Sequence, residues 1–305
     1  MPLHRLTSIT LGTPDPAGSS QFFTSFGLDP DGDGWFGTRD GGNQIELVET
    51  RTRSLERLGI AAEDSDDLGR IASLVAETGL GTVAEQSDDQ LVLIEPVTGL
   101  PVELTVAEPY ASAVELPALN APGIDERVNA PAPSVLADNP GRPSNLTHIV
   151  YASPDQPTTL RFFTDVLGFE VSDGLPGIIA FARCGEVHHN VAIQAGPVAY
   201  LHHIAFEMDS IDDVVRSGQK LVDEDPDRHM WGLGRHAIGS NWFWYMRDPS
   251  GVFVEYTADI DRITAQDLWE PKDWQGQEFL YSYGPPTPAA FLEPTDMAEL
   301  IAAAS

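Results

Sequence analysis

Cysteine is almost absent from this chain: Cys184 stands alone in 305 residues. An intramolecular disulfide is therefore excluded, and the composition fits a reducing compartment. The expected role of Cys184 is that of a small packed residue rather than a nucleophile. Basic residues are also scarce, 17 Lys and Arg against 47 Asp and Glu, for a formal charge of −30. A surface so negative repels phosphate backbones and anionic lipid, which argues against nucleic acid or a membrane as partner. The acidity itself reads as a device for solubility or for the ionic habitat of the source. No apolar run reaches 18 residues, and the opening Met-Pro-Leu-His-Arg-Leu-Thr-Ser has no signal-peptide hydrophobic segment. A soluble, cytoplasmic protein is the expectation.

What is present is ordinary globular material, 42% hydrophobic and 21% charged, enough for one large or two ordinary domains. Residues 5–13 alternate like a strand, a helix follows around Ser19–Thr24, and glycine-rich turns occupy Asp31–Gly34. A strand is expected at 43–49, a second strand and helix pair from Arg57 with the helix near Ser65–Thr78, and closing strands near Leu91–Glu95 and Pro101–Val106. Residues 108–144, rich in Pro and Ala without periodicity, read as a linker. At Asn145 the pattern restarts. Leu146-Thr147-His148-Ile149 aligns with Leu6-Thr7-Ser8-Ile9, Arg161-Phe162-Phe163-Thr164 with Gln21-Phe22-Phe23-Thr24, and Gly251–Glu255 with Gly99–Glu103. Leu201–Glu207 aligns with the segment around Leu58, setting His203 opposite Gly59. An internal duplication accounts for this. The expected fold is α+β, two tandem modules of paired βαβββ units whose cupped mixed sheets carry helices outside. The expected divisions are 1–107, a linker 108–144, 145–260 and a tail 261–305.

Glu255 is an anomaly, a carboxylate inside the apolar strand Val252-Phe253-Val254-Glu255-Tyr256. Such a group must face water, be paired or hold a cation, because burying it bare costs several kcal/mol. Under the alignment, His148 stands opposite Ser8, so the second copy has two strand histidines that the first lacks, while both keep a glutamate. Two imidazoles and one carboxylate leave half an octahedral ion open, which suits Fe(II) or Mn(II) with exchangeable ligands. A closed zinc site would want four ligands, usually with thiolate, which Cys184 alone cannot supply.

Thr147-His148, Leu201-His202-His203-Ile204-Ala205-Phe206, Gly234-Arg235-His236, and Tyr245 ahead of Asp248-Pro249-Ser250-Gly251 and Glu255-Tyr256 together resemble the type I extradiol ring-cleaving dioxygenases of the vicinal oxygen chelate superfamily. The resemblance covers about residues 145–260. It implies that His148, His203 and Glu255 ligate non-heme Fe(II), with Mn(II) the alternative. It also implies that His189 is the acid–base histidine and that His236 and Tyr245 hydrogen-bond the substrate. The partners implied are an aromatic diol and O2, the product a ring-opened semialdehyde, and the protein a homo-oligomer. Because successive strand residues alternate faces, His202 is expected to turn away from the site, and His188 likewise. Ala237-Ile238-Gly239-Ser240-Asn241 departs from the Asn-Asp-His that the biphenyl-diol branch typically has there, so a different pocket is expected. The tail aromatics Trp269, Trp274, Phe279, Tyr281 and Tyr283 are candidates to cover the mouth, or else to pack outside it. The alternatives within the fold are a metal-dependent isomerase, which usually needs a further glutamate that Glu103 does not obviously supply, and a non-catalytic ligand-binding protein.

Overall fold

The structure, a computed structural model, describes residues 3–112, 118–137, 140–274 and 280–304. The first half folds into β1 (Leu3–Thr13), α1 (Pro16–Phe26), β2 (Asp29–Pro30), β3 (Trp35–Thr38), β4 (Gly42–Glu49), β5 (Ser54–Ala62), α2 (Ser65–Thr78), β6 (Thr82–Gln86), β7 (Gln90–Ile94) and β8 (Pro101–Val106). Segment 118–137 is irregular apart from α3 (Pro133–Leu136). The second half repeats the pattern with β9 (Asn145–Ser153), α4 (Gln156–Arg161, continued by a π-helical turn Phe162–Val166), β10 (Glu170–Leu175), β11 (Ile179–Arg183), β12 (Val191–Ala195), β13 (Tyr200–Glu207), α5 (Ile211–Glu224), β14 (His229–Arg235), β15 (Trp242–Arg247) and β16 (Phe253–Ala258). Two short helices, α6 (Ala289–Leu292) and α7 (Met297–Ala303), lie in the tail.

Each half forms one eight-stranded mixed sheet. The orders β2-β3-β4-β1-β5-β8-β7-β6 and β10-β11-β12-β9-β13-β16-β15-β14 are the same arrangement twice. The helices begin where short polar side chains can satisfy their free N–H groups. Asp64 caps α2 through the Asp67 N–H, with Asp66 and Asp67 in its first turn, and Ser210 caps α5 through the Asp213 N–H. α2 ends at Gly79, whose φ of 67° is the left-handed conformation that glycine adopts without penalty. One apolar core runs through both halves. Phe26 of α1 stacks on Tyr256 of β16 at 3.8 Å, and the Tyr256 hydroxyl donates to the Phe26 carbonyl at 2.7 Å. The first half thus braces the outer face of the strand that holds Glu255.

Pairing register corrects one expectation. Ser8 faces Gly59 across β1 and β5, and Gly59 faces Glu103 across β5 and β8. In the second half His148 faces Ala205, which faces Glu255. Gly59 therefore corresponds to Ala205, and the residue corresponding to His203 is Arg57: Arg57 pairs with Thr10 as His203 pairs with Val150. Arg57 is not idle there. Its guanidinium meets Glu103 at 2.6 Å, and Gln90 donates to the other carboxylate oxygen. The aligned glutamate of the first half has a cation, but a covalently attached one.

Two smaller differences concern strands. β15, where Tyr245 lies, runs from Trp242 to Arg247, and β6 is exposed along its whole length, so β6 shows none of the apolar alternation that would mark it in the sequence.

Candidate metal centre

His148, Ala205, Glu255 and Tyr245 occupy one row across β9, β13, β16 and β15. His203 lies two residues back along β13, on the same face. The small Ala205 side chain leaves the middle of the row open, so the flanking side chains converge above it. His148 Nε2 is 3.3 Å and His203 Nε2 3.7 Å from Glu255 Oε2. All three ligand atoms lie within 4.8 Å of one another, and all three residues are buried.

Glu255 Oε1 and His203 Nδ1 are engaged from behind, while His148 Nδ1 is buried without a partner. Asn241 donates to Glu255 Oε1 at 3.0 Å and to the Thr257 hydroxyl at 2.8 Å. Glu255 Oε2 is left buried with no hydrogen-bond partner. A fully buried carboxylate oxygen aimed at two imidazole nitrogens, with no N–H to receive, is the environment a divalent cation completes. The donor set fits such an ion. Asn241 lies in the loop where the sequence departs from the biphenyl-diol pattern. Nothing in the linear sequence marks it as a partner of Glu255, fourteen positions away; left-handed Gly239 and Ser240 turn the loop and bring it there.

His202 overturns the expectation that it faces away from the site, whereas His188 lies behind His189 and does not reach it. β13 bulges between Leu201 and His203 against β9, and the extra residue suspends strict alternation. His202 and His203 then meet with their Nδ1 atoms 2.8 Å apart. His202 Nε2 lies 2.7 Å from the Phe291 carbonyl, to which it can only donate. Neutral His202 therefore accepts at Nδ1 from His203 Nδ1–H, which leaves His203 Nε2 as a bare lone pair facing Glu255. His188 and His189 meet similarly, Nδ1 to Nδ1 at 3.0 Å, with His188 Nε2 3.1 Å from Asp173 Oδ2. Burial lowers the pKa of His189, with neighbouring His148 and His188 adding to it, and burial likewise lowers those of His203 and His236. His202 is pushed down to about 4, again chiefly by burial. Neutral imidazoles, the form that ligates metals, are favoured at these four positions.

His189, His236 and Tyr245 line the same cavity, of about 240 Å³, as His148 and His203. His236 Nδ1 donates to the Leu280 carbonyl, so its Nε2 accepts from the Tyr245 hydroxyl at 2.9 Å. Burial and the Glu255 charge raise the Tyr245 pKa well above its usual value, keeping that hydroxyl protonated. The tail does reach the cavity, but, among the described residues, not through the aromatics singled out above. Leu280, Phe291 and Leu292 line it, whereas Trp269 packs on His188 and Tyr281 on Trp231. Trp274 borders the cluster of Ile179, Phe181 and Ile238, Tyr283 is half exposed beside Trp242, and Phe279 lies outside the described residues. The tail is held by Arg53, a buried guanidinium bound to Asp296 at 2.5 Å and to the Leu201 carbonyl just ahead of the histidine pair.

No described helix is long and apolar enough to cross a membrane. Residues 145–256 match the model of the Glyoxalase/Bleomycin resistance protein/Dioxygenase superfamily. The chain is 34% identical over 156 residues to metapyrocatechase 2 of Cupriavidus necator, a stretch covering 50% of this chain and 48% of that protein. It is 30% identical over 223 residues to biphenyl-2,3-diol 1,2-dioxygenase of Paraburkholderia xenovorans, covering 70% of this chain and 72% of that one. Among solved structures, the Mn(II)-bound glyoxalase from Novosphingobium aromaticivorans superposes with a TM-score of 0.77 at 26% identity, over 94% of this chain and 93% of the other. Sequence motifs, doubled sheet and buried two-histidine, one-carboxylate cluster agree with these likenesses: the chain belongs to the type I extradiol ring-cleaving dioxygenases of this superfamily.

Proposed function

We propose that the protein opens the ring of a catechol-type diol with O2 by extradiol cleavage, giving a ring-opened semialdehyde. His148, His203 and Glu255 would hold Fe(II), with Mn(II) the alternative; relatives named for each metal occur among those the chain is similar to. The observation that carries this reading is the buried, partnerless Glu255 Oε2 facing two imidazole nitrogens whose rings line the cavity. When bound, the metal supplies coordination sites where diol and O2 are held side by side and a centre through which electron density passes between them.

The protein's own groups do the rest. His189 reaches the cavity with its Nε2, the ring nitrogen not engaged by His188, and is the group placed to take a proton from the diol and return it later. Tyr245 and His236 present a hydroxyl and an imidazole beside Glu255, where they orient the diol oxygens and meet negative charge that develops there. Val150, Ile179, Phe181 and Ile238 exclude water from the ring. No Lys or Arg lines this cavity among the described residues. A diol with a neutral, apolar substituent therefore suits it better than one bearing a carboxylate, whose charge would stay unpaired. Residues 1–107 serve as a bracing half without a metal, and residues 261–305 as a partial cover.

The test is oxygen uptake after anaerobic loading with Fe(II), against a panel of neutral and carboxylated catechols, with the yellow ring-opened product followed by absorbance. Metal-dependent uptake lost in His203→Ala and slowed in His189→Ala supports the reading. Stoichiometric metal binding without uptake would turn it toward the isomerase alternative, which the Mn(II)-bound glyoxalase of like fold keeps in view. Absence of metal binding would leave a ligand-binding protein.

A further inference from the structure

Behind His189 lies a line of polar groups that a bare acid–base histidine does not require. Asp173, on β10, is 3% exposed, and His188 is fully buried. One oxygen of Asp173 accepts the Lys272 backbone N–H at 2.6 Å, and the other meets His188 Nε2 at 3.1 Å. The second nitrogen of His188 meets His189 Nδ1 at 3.0 Å. Trp269 lies edge-on to the His188 ring, and Phe181 packs against both histidines. Gly239 closes over the pair; a Cβ there would come 3.4 Å from His188 Nδ1 and 3.5 Å from His189 Cε1, at a φ of +76°. Among the described residues no Lys or Arg side chain forms an ion pair with Asp173, whose ion-pair partner is His188.

We propose that Asp173 and His188 are positioning residues that set the tautomer of His189 and hold the proton it collects. This rests on the diol-cleaving reading above. The arrangement allows few assignments. A carboxylate can only accept, so His188 carries its proton at Nε2 and offers a lone pair at Nδ1. His189 must then donate from Nδ1, and its Nε2 faces the cavity without a proton. When a diol O–H bond breaks, its proton forms an N–H bond at His189 Nε2. The Nδ1–H of His189 then passes across the 3.0 Å contact to His188 Nδ1. The positive charge comes to rest on His188 against the Asp173 carboxylate, not on His189 among the metal-site histidines. His189 ends neutral, turned from acceptor to donor toward the bound molecule, and the same two transfers run backwards when the product takes up the proton. No atom or electron is gained from outside.

The test uses the Fe(II)-loaded protein without O2 and 4-nitrocatechol as probe, whose absorbance reports its ionisation while a pH-indicator dye counts protons released to solvent. Asp173→Asn keeps the shape but removes the charge; His188→Gln keeps polar contacts but cannot hold a proton. Both are expected to bind the probe with metal content unchanged and to release one more proton per bound probe than the wild type. In turnover kcat should fall, by about the 10²-fold at the low end of what acid–base groups supply, while KM moves no more than about threefold. Asp173→Glu should recover part of kcat. Equal proton counts in all forms would overturn the proposal, as would a loss confined to metal content or folding. Failure of the wild type to bind the probe would remove it together with the diol-cleaving reading. Differing proton counts without any oxygen uptake would remove that reading and leave the relay standing.

Discussion

Replacing His202 by phenylalanine separates the ligand from what holds it. The ring is buried and phenylalanine is close to it in volume, so the change is mainly the loss of two hydrogen bonds. These are the 2.7 Å bond to the Phe291 carbonyl and the 2.8 Å bond from His203 Nδ1–H. Each buried group left without a partner costs about 1–3 kcal/mol, so the metal-free protein should lose about 2 kcal/mol or more. The more telling effect is on the ion. His203 would no longer be held to the tautomer that bares Nε2, and loss of such an outer partner weakens metal binding by about 10–100-fold. Competition with a chromophoric chelator, titrating Mn(II) in air and Fe(II) without oxygen, measures this directly. A folded His202→Phe protein that binds either metal within about twofold of wild type would refute the reasoning, because the pair would then be packing and nothing more.

Other consequences are accessible to simple measurements. Arg53→Met should destabilise the protein by about 2–3 kcal/mol, less than the 3–5 typical of a fully buried broken pair because Asp296 is 23% exposed; it should also speed proteolysis within 289–303, and urea unfolding with timed protease digestion checks both. The histidines with lowered pKa values stay neutral in the fold but take up protons on unfolding. Stability is therefore full above about pH 6.5 and lost as pH falls, down to about 4 for His202; each such group contributes about 1.4 kcal/mol per pH unit inside its window, and urea midpoints from pH 7.5 to 5 should show the slope. The Cys184 thiol is buried and pushed up to about 12 by desolvation, so a maleimide or disulfide reagent should label it only after denaturant opens the core.

Much of the fold could be read before the structure, because the strands that matter are buried on at least one face and their apolar pattern follows. α2 spans the expected Ser65–Thr78 between its Asp64 cap and Gly79. The two histidines and the glutamate were recognisable as a set through their chemistry and the motifs around them. What could not be read was whatever depends on register. A linear alignment set His203 opposite Gly59 where pairing sets it opposite Arg57, and both copies carry the same bulge beside that position. In the second copy that bulge turns His202 toward the site, where strict alternation would turn it away. Asn241, Asp173 and the Phe291 carbonyl come to their places through long-range folding, and no local spacing announces a partner fourteen to eighty-nine positions distant.

Arg57 gives the two halves different relations to their surroundings. The strand glutamate of the first half is neutralised by a guanidinium that cannot be chelated, exchanged or oxidised. On the proposed reading, the corresponding carboxylate of the second half would depend on an ion that can be all three. A chelator should therefore loosen the molecule unevenly. Amide exchange should quicken along β9, β13 and β16 while β1, β5 and β8 keep their protection, until the shared core gives way. Duplication followed by the loss of one site would then have left more than a spare scaffold: half of the protein would remain folded through episodes of metal starvation, ready for the other half to be reloaded.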